Sequence, residues 1–228
     1  MLLSSSKLNL IKRRRISREK FGLLVKCFGL DLTASQTAEL QNLNRNTVNR
    51  YFAYFKYQII SSAIKERTTE QISNGVEVDE SYFGARRKRG YRGRKKGKKI
   101  IVLGLLKRSG KVFAQIVSSA SKQELLPIIR QTVRSGSDIY TDGWRPYDAL
   151  AIYGYNHKRV NHQKNEFAHG DIHINGVESF WSWTKRRLSK FNGIPESLFG
   201  ANLLESEWRF NHRSDILKAV RKLTRIKK

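Results

Sequence analysis

Cysteine is almost missing from this 228-residue chain: Cys27 is the only one. No disulfide can close within the chain and no Cys-based zinc site can be built, and a reducing compartment suits such a composition. Long apolar runs are missing as well. The longest, Ile100 to Leu106, falls far short of the roughly 20 residues that a bilayer-spanning helix requires. The N-terminus carries Ser4, Ser5, Ser6 and the basic run Lys12 to Arg15 where a secretory leader would have an apolar core. No membrane partner is expected, and the expected location is cytoplasmic. Acids are the third scarcity. Only 19 Asp+Glu stand against 45 Lys+Arg, a formal net charge of +26. A neutral or acidic partner does not call for that excess. A polyanion does, because each phosphate neutralised by a side-chain cation releases condensed counterions. The expected partner is nucleic acid and the expected address nucleoid-associated, with a generally basic, ribosomal-type protein as the bland alternative. What is present, at 39% hydrophobic residues, is enough apolar material for one substantial core and a small accessory domain.

The order of local signals divides the chain. Residues 1–20 form a basic N-terminal segment. Residues 21–63 read as helical throughout, with a first helix ending at Gly29. Thr33 is placed to N-cap a short helix, LNRN makes a turn, and Val48, Tyr51, Phe52 and Phe55 recur at helical spacing in a second helix. That second helix carries Arg45, Asn46, Asn49 and Arg50 near its start, where a helix-turn-helix presents side chains to a major groove. The alternative is a helical hairpin whose aromatic stripe is core alone. Residues 64–74 read as a linker and 75–213 as a second domain. There, VEVDESYF, KKIIVLGLLKR and KVFAQIVS form three strands. A helix capped at Ser121, a strand at DIYTD, a helix around RPYDALAIYG and a strand around HKRVNH follow. Two helices come last, from about Asn175 to Lys190 and from about Pro195 to His212. This order predicts an α/β fold: an RNase H-like mixed sheet flanked by helices, preceded by a small all-α helix-turn-helix domain. Residues 214–228 read as a basic tail, whose run Arg221 to Lys228 suits contacts to a DNA backbone.

In a chain so poor in acids, three carboxylates stand out. Asp79 lies on the first strand with Glu77 on the same face and Glu80 on the other. Asp142 ends a short buried strand, a position that ligand sites in open sheets favour. Glu178 begins a helix whose polar stripe is Asn175, Glu178, Ser182 and Lys185, opposite Val177, Phe180, Trp181 and Leu188. Mg²⁺ takes oxygen ligands and uses few carboxylates, leaving positions open for water and phosphate oxygens. Two such ions can serve an in-line phosphoryl displacement. The three acids are therefore expected to converge into a cage for divalent cations. Each taken alone reads equally as a strand-edge, turn or capping residue. Lys185, two turns past Glu178, can hold a phosphate beside that cage. Residues 86–99, RRKRGYRGRKKGKK, form a basic hairpin without an acid. Its Arg86, Arg87, Lys88, Arg89, Arg92, Arg94, Lys95 and Lys96 suit contacts to a DNA backbone, which position without reading bases. Trp181 and Trp183 read as core rather than as base-stacking platforms, and His162, His169 and His173 as residues that touch DNA or order the helix start.

These motifs together resemble the DDE transposases of bacterial insertion sequences, in the compact branch of the RNase H-like integrase superfamily with a D-D-E/N triad. The resemblance rests on DESYFG at Asp79 to Gly84, TDG at Thr141 to Gly143, and HINGVESFWS at His173 to Ser182 followed by Lys185-Arg186. KFNGIP (Lys190 to Pro195) and RFNHR (Arg209 to Arg213) extend it over most of the chain. The resemblance implies Asp79, Asp142 and Glu178 as catalytic and metal-binding residues for Mg²⁺ or Mn²⁺, two ions in all, with Lys185 as basic companion and Arg186 on DNA. In some relatives the third ligand is the Asn matching Asn175. Glu178 is preferred here because an anionic oxygen binds Mg²⁺ more strongly than an amide oxygen. The chain departs from relatives that carry a Cys-rich zinc ribbon ahead of this region, since Cys27 alone cannot build one. The implied activity is cleavage and strand transfer of DNA, the implied partners are double-stranded terminal inverted repeats and target DNA, and the implied assembly is a homo-oligomer on DNA. The alternatives are a helix-turn-helix regulator with an inactive core and a structure-selective RNase H-like nuclease.

Overall fold

A computed structural model describes residues 16–67, 71–84, 99–108, 110–142, 145–160 and 173–224. The cations expected at Arg86, Arg87, Lys88, Arg89, Arg92, Arg94, Lys95 and Lys96 lie outside the described residues, as do residues 1–15, His162, His169 and the end of the chain from 225. The chain forms two units, Met1–Thr68 with Lys190–Lys228, and Thr69–Ser189. Among the described residues no helix is long and apolar enough to cross a membrane.

The first unit is helical. Helix α1 (Arg18–Gly29) starts at Ser17, whose hydroxyl accepts from Lys20 N. Helix α2 (Ala34–Gln41) starts at the expected Thr33, which exchanges hydrogen bonds with Gln36 in a reciprocal cap. Asn42, in the left-handed region at φ 47°, turns the chain into α3 (Arg45–Arg67). Phe55 is the hub of this core, with Phe21, Phe28, Tyr51, Phe52 and Tyr54 around it. Two further helices, α6 (Glu196–Asn211) and α7 (Ile216–Thr224), complete the same core through Trp208 and Val220.

Three expected boundaries are corrected here. Residues 64–67 belong to α3, whose last turn is held by the ion pair of Arg67 with Glu207, so they are helix rather than linker. Residues 190–213 join the helical unit rather than the sheet. Arg209 explains why: from α6 it donates to the carbonyls of Phe28 (2.8 Å) and Gly29 (3.2 Å) at the open end of α1 and binds Glu205 at 2.9 Å. The region expected as a basic tail contains α7, anchored by buried Val220 and Thr224.

The second unit is a five-stranded sheet in the order β3-β2-β1-β4-β5. Strands β1 (Val76–Phe83), β2 (Ile100–Lys107) and β3 (Val112–Val117) are antiparallel neighbours. Helix α4 (Lys122–Thr132) crosses to β4 (Asp138–Asp142), parallel to β1. The segment expected as a helix after it is a 3₁₀ helix, Arg145–Tyr153, leading to β5 (Asn156–Val160), parallel to β4. Helix α5 (Asn175–Ser189) follows. Three antiparallel strands joined to two parallel ones in this order make the RNase H-like sheet. Its core unites Val76, Val78, Leu103 and Leu105 with Leu125 and Ile129 of α4 and Leu150 of the 3₁₀ helix.

Candidate active site

Alternation along β1 turns Glu77 and Asp79 toward α5, and Glu80 the other way. The parallel neighbour β4 pairs Ile139 with Val76 and Tyr140 with Glu77. The same offset carried forward sets Asp142, the last residue of β4, level with Asp79. Burial pushes the Asp79 carboxyl up to about 6; the Asp142 and Glu178 carboxylates add to the rise, against hydrogen bonds from the Glu80 backbone and the Trp181 indole. The three expected acids, from β1, β4 and α5, thus share one electrostatic neighbourhood. They do not close into the expected cage: among the described residues no three His, Cys, Asp or Glu side chains form a group able to hold an ion. Asp79 Oδ2 is engaged at 3.0 Å by Trp181 Nε1.

Helix α5 owes its placement to a buried acid that the sequence did not single out. Glu77 is only 1% exposed and accepts from Val177 N in the first turn of α5 at 2.9 Å. A carboxylate at this end also meets the positive pole of the helix. Arg108, at the end of β2, approaches Glu77 at 3.4 Å, donates to the His173 carbonyl at 2.6 Å, and lies 3.5 Å from the Tyr140 ring centroid. His173 Nδ1 is 3.5 Å from Glu77. A Cβ on Gly176 would lie 2.8 Å from Glu77 Oε2, so only glycine lets the helix come this close. Farther along, Trp181 rests on Gly104 of β2, where a Cβ would be 2.4 Å from the indole. These two contacts fix the rotation of α5, burying Val177, Phe180, Trp181 and Leu188 and leaving Asn175, Glu178, Ser182, Lys185 and Arg186 exposed. The Lys185 ammonium stands 5.5 Å from the Phe83 ring centroid.

On the opposite face of β1, Glu80 accepts from the hydroxyl of Tyr147, a fully buried residue of the 3₁₀ helix. Burial pushes the Glu80 carboxyl up to about 7, the Tyr147 hydroxyl lowers it, and Asp79 and Asp142 raise it again. The Tyr147 phenol is pushed well above its ordinary value, by burial first and then by Glu80. In the helical unit, Arg45, Asn46, Asn49 and Arg50 are exposed on the first turns of α3. Glu77, Arg108, Gly104, Tyr147 and the hydrogen-bonding role of Trp181 escaped the sequence. The one available sign was the spacing of Glu77 and Asp79 on a single strand face.

Residues 71–211 match the family model of the ISXO2-like transposase domain. A transposase-like protein of Haemophilus influenzae is 45% identical over 102 residues, covering 45% of this chain and 82% of the relative. A protein in transposable element ISH50 of Halobacterium salinarum is 29% identical over 139 residues, covering 52% of this chain and 46% of its own length. Among solved structures, the Mos1 transposase paired-end complex with left transposon end has a TM-score of 0.32 at 13% identity, covering 92% of this chain and 78% of that one. The simian T-cell lymphotropic virus intasome has a TM-score of 0.39 at 12% identity, with 78% and 68% covered.

Proposed function

This chain belongs to the ISXO2-like transposase domain family, and we propose that it binds the terminal inverted repeats of its own element, hydrolyses a phosphodiester bond to free a 3′-OH, and directs that hydroxyl at target DNA. The observation that carries this reading is the placement of the three acids: the parallel register of β4 on β1 sets Asp142 level with Asp79, and Glu178 is exposed on α5, which is hydrogen-bonded to Glu77 and Asp79 of β1 through Val177 and Trp181. Carboxylate oxygens are the hard anionic donors that suit Mg²⁺ or Mn²⁺. Asp79, Asp142 and Glu178 would hold the ions, with Asn175, one turn before Glu178, as the alternative third ligand. When bound, two such ions activate an attacking oxygen and stabilise the leaving one.

The remaining steps fall to the chain's own groups. The Trp181 N–H orients the Asp79 carboxylate. Glu77 holds the first turn of α5 to β1 and so sets Glu178 beside Asp79. Lys185, on the same stripe as Glu178, offers its ammonium to a DNA phosphate, and Arg186 and the cations of 86–99 grip the backbone. Arg45, Asn46, Asn49 and Arg50 read the repeat from α3. Because two element ends must be held together, the working species is a homo-oligomer on DNA.

Asp79→Asn is expected to abolish metal-dependent nicking and joining of end DNA while leaving duplex binding unchanged. Cleavage at the wild-type rate in that variant would reject the triad. Strand-transfer rates of Asn175→Ala and Glu178→Gln decide the third ligand: the choice of Glu178 fails if only the Asn175 variant loses its metal dependence.

A further inference from the structure

Helix α7 takes no part in the chemistry above, and its two faces differ sharply. Val220 and Thr224 are buried in the helical core, and Leu217 lies against Gly29 of α1. Lys218, Arg221 and Lys222 are exposed, and at i, i+3 and i+4 they form a single stripe. Helix electrostatics accounts for part of that stripe only. Arg221 and Lys222 lie in the last turn, where cations complement the carbonyl end of the dipole. Lys218 lies in the first turn, where a cation is disfavoured; Asp215 caps that turn by accepting from the Lys218 backbone at 3.1 Å. Among the described residues none of the three side chains is paired with an acid. Two acids of this unit are drawn inward. Glu205 and Glu207 are 1% and 2% exposed and bind Arg209, Lys56 and Arg67, while Asp31 binds Lys190.

We infer that the outer stripe of α7 is a grip for the phosphate backbone of duplex DNA, carried by the same helical unit as Arg45, Asn46, Asn49 and Arg50. This rests on the DNA-binding reading proposed above. Backbone contacts of this kind supply affinity that is independent of sequence and steep in salt, whereas base contacts supply discrimination. The division of labour follows: α3 distinguishes the terminal repeat from other DNA, and α7 adds hold on both.

The test uses the full chain and a random-sequence duplex of about 30 base pairs, roughly three helical turns, with affinity measured across salt concentration. For Lys218→Gln/Arg221→Gln/Lys222→Gln, the slope of log affinity against log salt should become shallower by about 2 to 3, close to one for each cation removed. Lys218→Arg/Lys222→Arg should keep the wild-type slope and melting temperature, and the glutamine variant, which gives up the helix-end cations Arg221 and Lys222 together with the disfavoured Lys218, should remain folded at the assay temperature. Wild-type slope in the glutamine variant overturns the grip while leaving end recognition by α3 standing. That recognition is read separately, as loss of preference for the terminal repeat in Arg45→Ala/Arg50→Ala. A wild-type chain that binds no duplex even at low salt overturns both.

Discussion

Asp79 and Glu80 are neighbours on one strand that face opposite ways, and both resist ionisation. Their folded-state values of about 6 and about 7 exceed the ordinary 3.8 and 4.5. A carboxyl raised in this way favours the fold while it is protonated, so its contribution is complete at low pH and is lost as pH rises through the folded-state value. In the absence of divalent cations, thermal melting from about pH 4.5 to about pH 7 should show the wild type losing stability relative to Glu80→Gln, whose amide oxygen still accepts from Tyr147. Added Mg²⁺ should raise the melting temperature above pH 6, where Asp79 is ionised, and not below pH 5. A metal effect that is the same at both pH values would remove Asp79 from the ligand set. Trp181→Phe keeps a ring over Gly104 but deletes the donor to Asp79; a loss of about 1 kcal/mol is expected in urea unfolding, with a shift in the Mg²⁺ concentration needed for cleavage. The three acids were legible because carboxylates are rare in so basic a chain. Their supports were not, since the partners of Glu77, Glu80 and Trp181 come from other elements and no local pattern announces them.

Helix α5 is positioned at two points, and each can be broken separately. Glu77→Ala removes the acceptor of Val177 N and leaves Arg108 facing a gap. Taking away one member of a buried ionic group costs about 3 kcal/mol or more, whereas Glu77→Gln keeps an acceptor and should cost clearly less. Urea unfolding of both variants checks this, and equal losses would mean that the charge rather than the helix contact matters. Gly104→Ala forces a methyl against Trp181, and such overpacking costs about 1–3 kcal/mol. At this scale the sequence was a good guide wherever local chemistry decides. Thr33 caps α2 with Gln36, DIYTD is β4, and α5 starts at Asn175. It misled at the end of the chain. In α7 the apolar residues Ile216, Leu217, Val220 and Leu223 do recur at helical spacing beside Lys218, Arg221 and Lys222, but in the reading as a basic tail the net charge of the segment outweighs that pattern.

For the molecule as a whole, the informative fact is that the helical unit is discontinuous. Periodicity states which side of a helix is apolar, but not which core will receive it, so α6 was assigned to the sheet by proximity in sequence. Ending the chain at Ser189 removes Trp208, Val220 and the Arg209 contacts to α1 from the helical core. The expected outcome is loss of amide protection throughout α1 and α3 in hydrogen exchange; protection at the wild-type level would show that those helices stand alone. The same discontinuity constrains how the protein is born. At about 5–20 residues per second, translating the inserted sheet takes roughly ten seconds, and for much of that time the Phe55 stripe is outside the ribosome while α6 and α7 have not been made. The sheet can therefore be finished before the helices that precede it, and newly made chains should present an aromatic stretch that a holdase chaperone can occupy until the final helix is released.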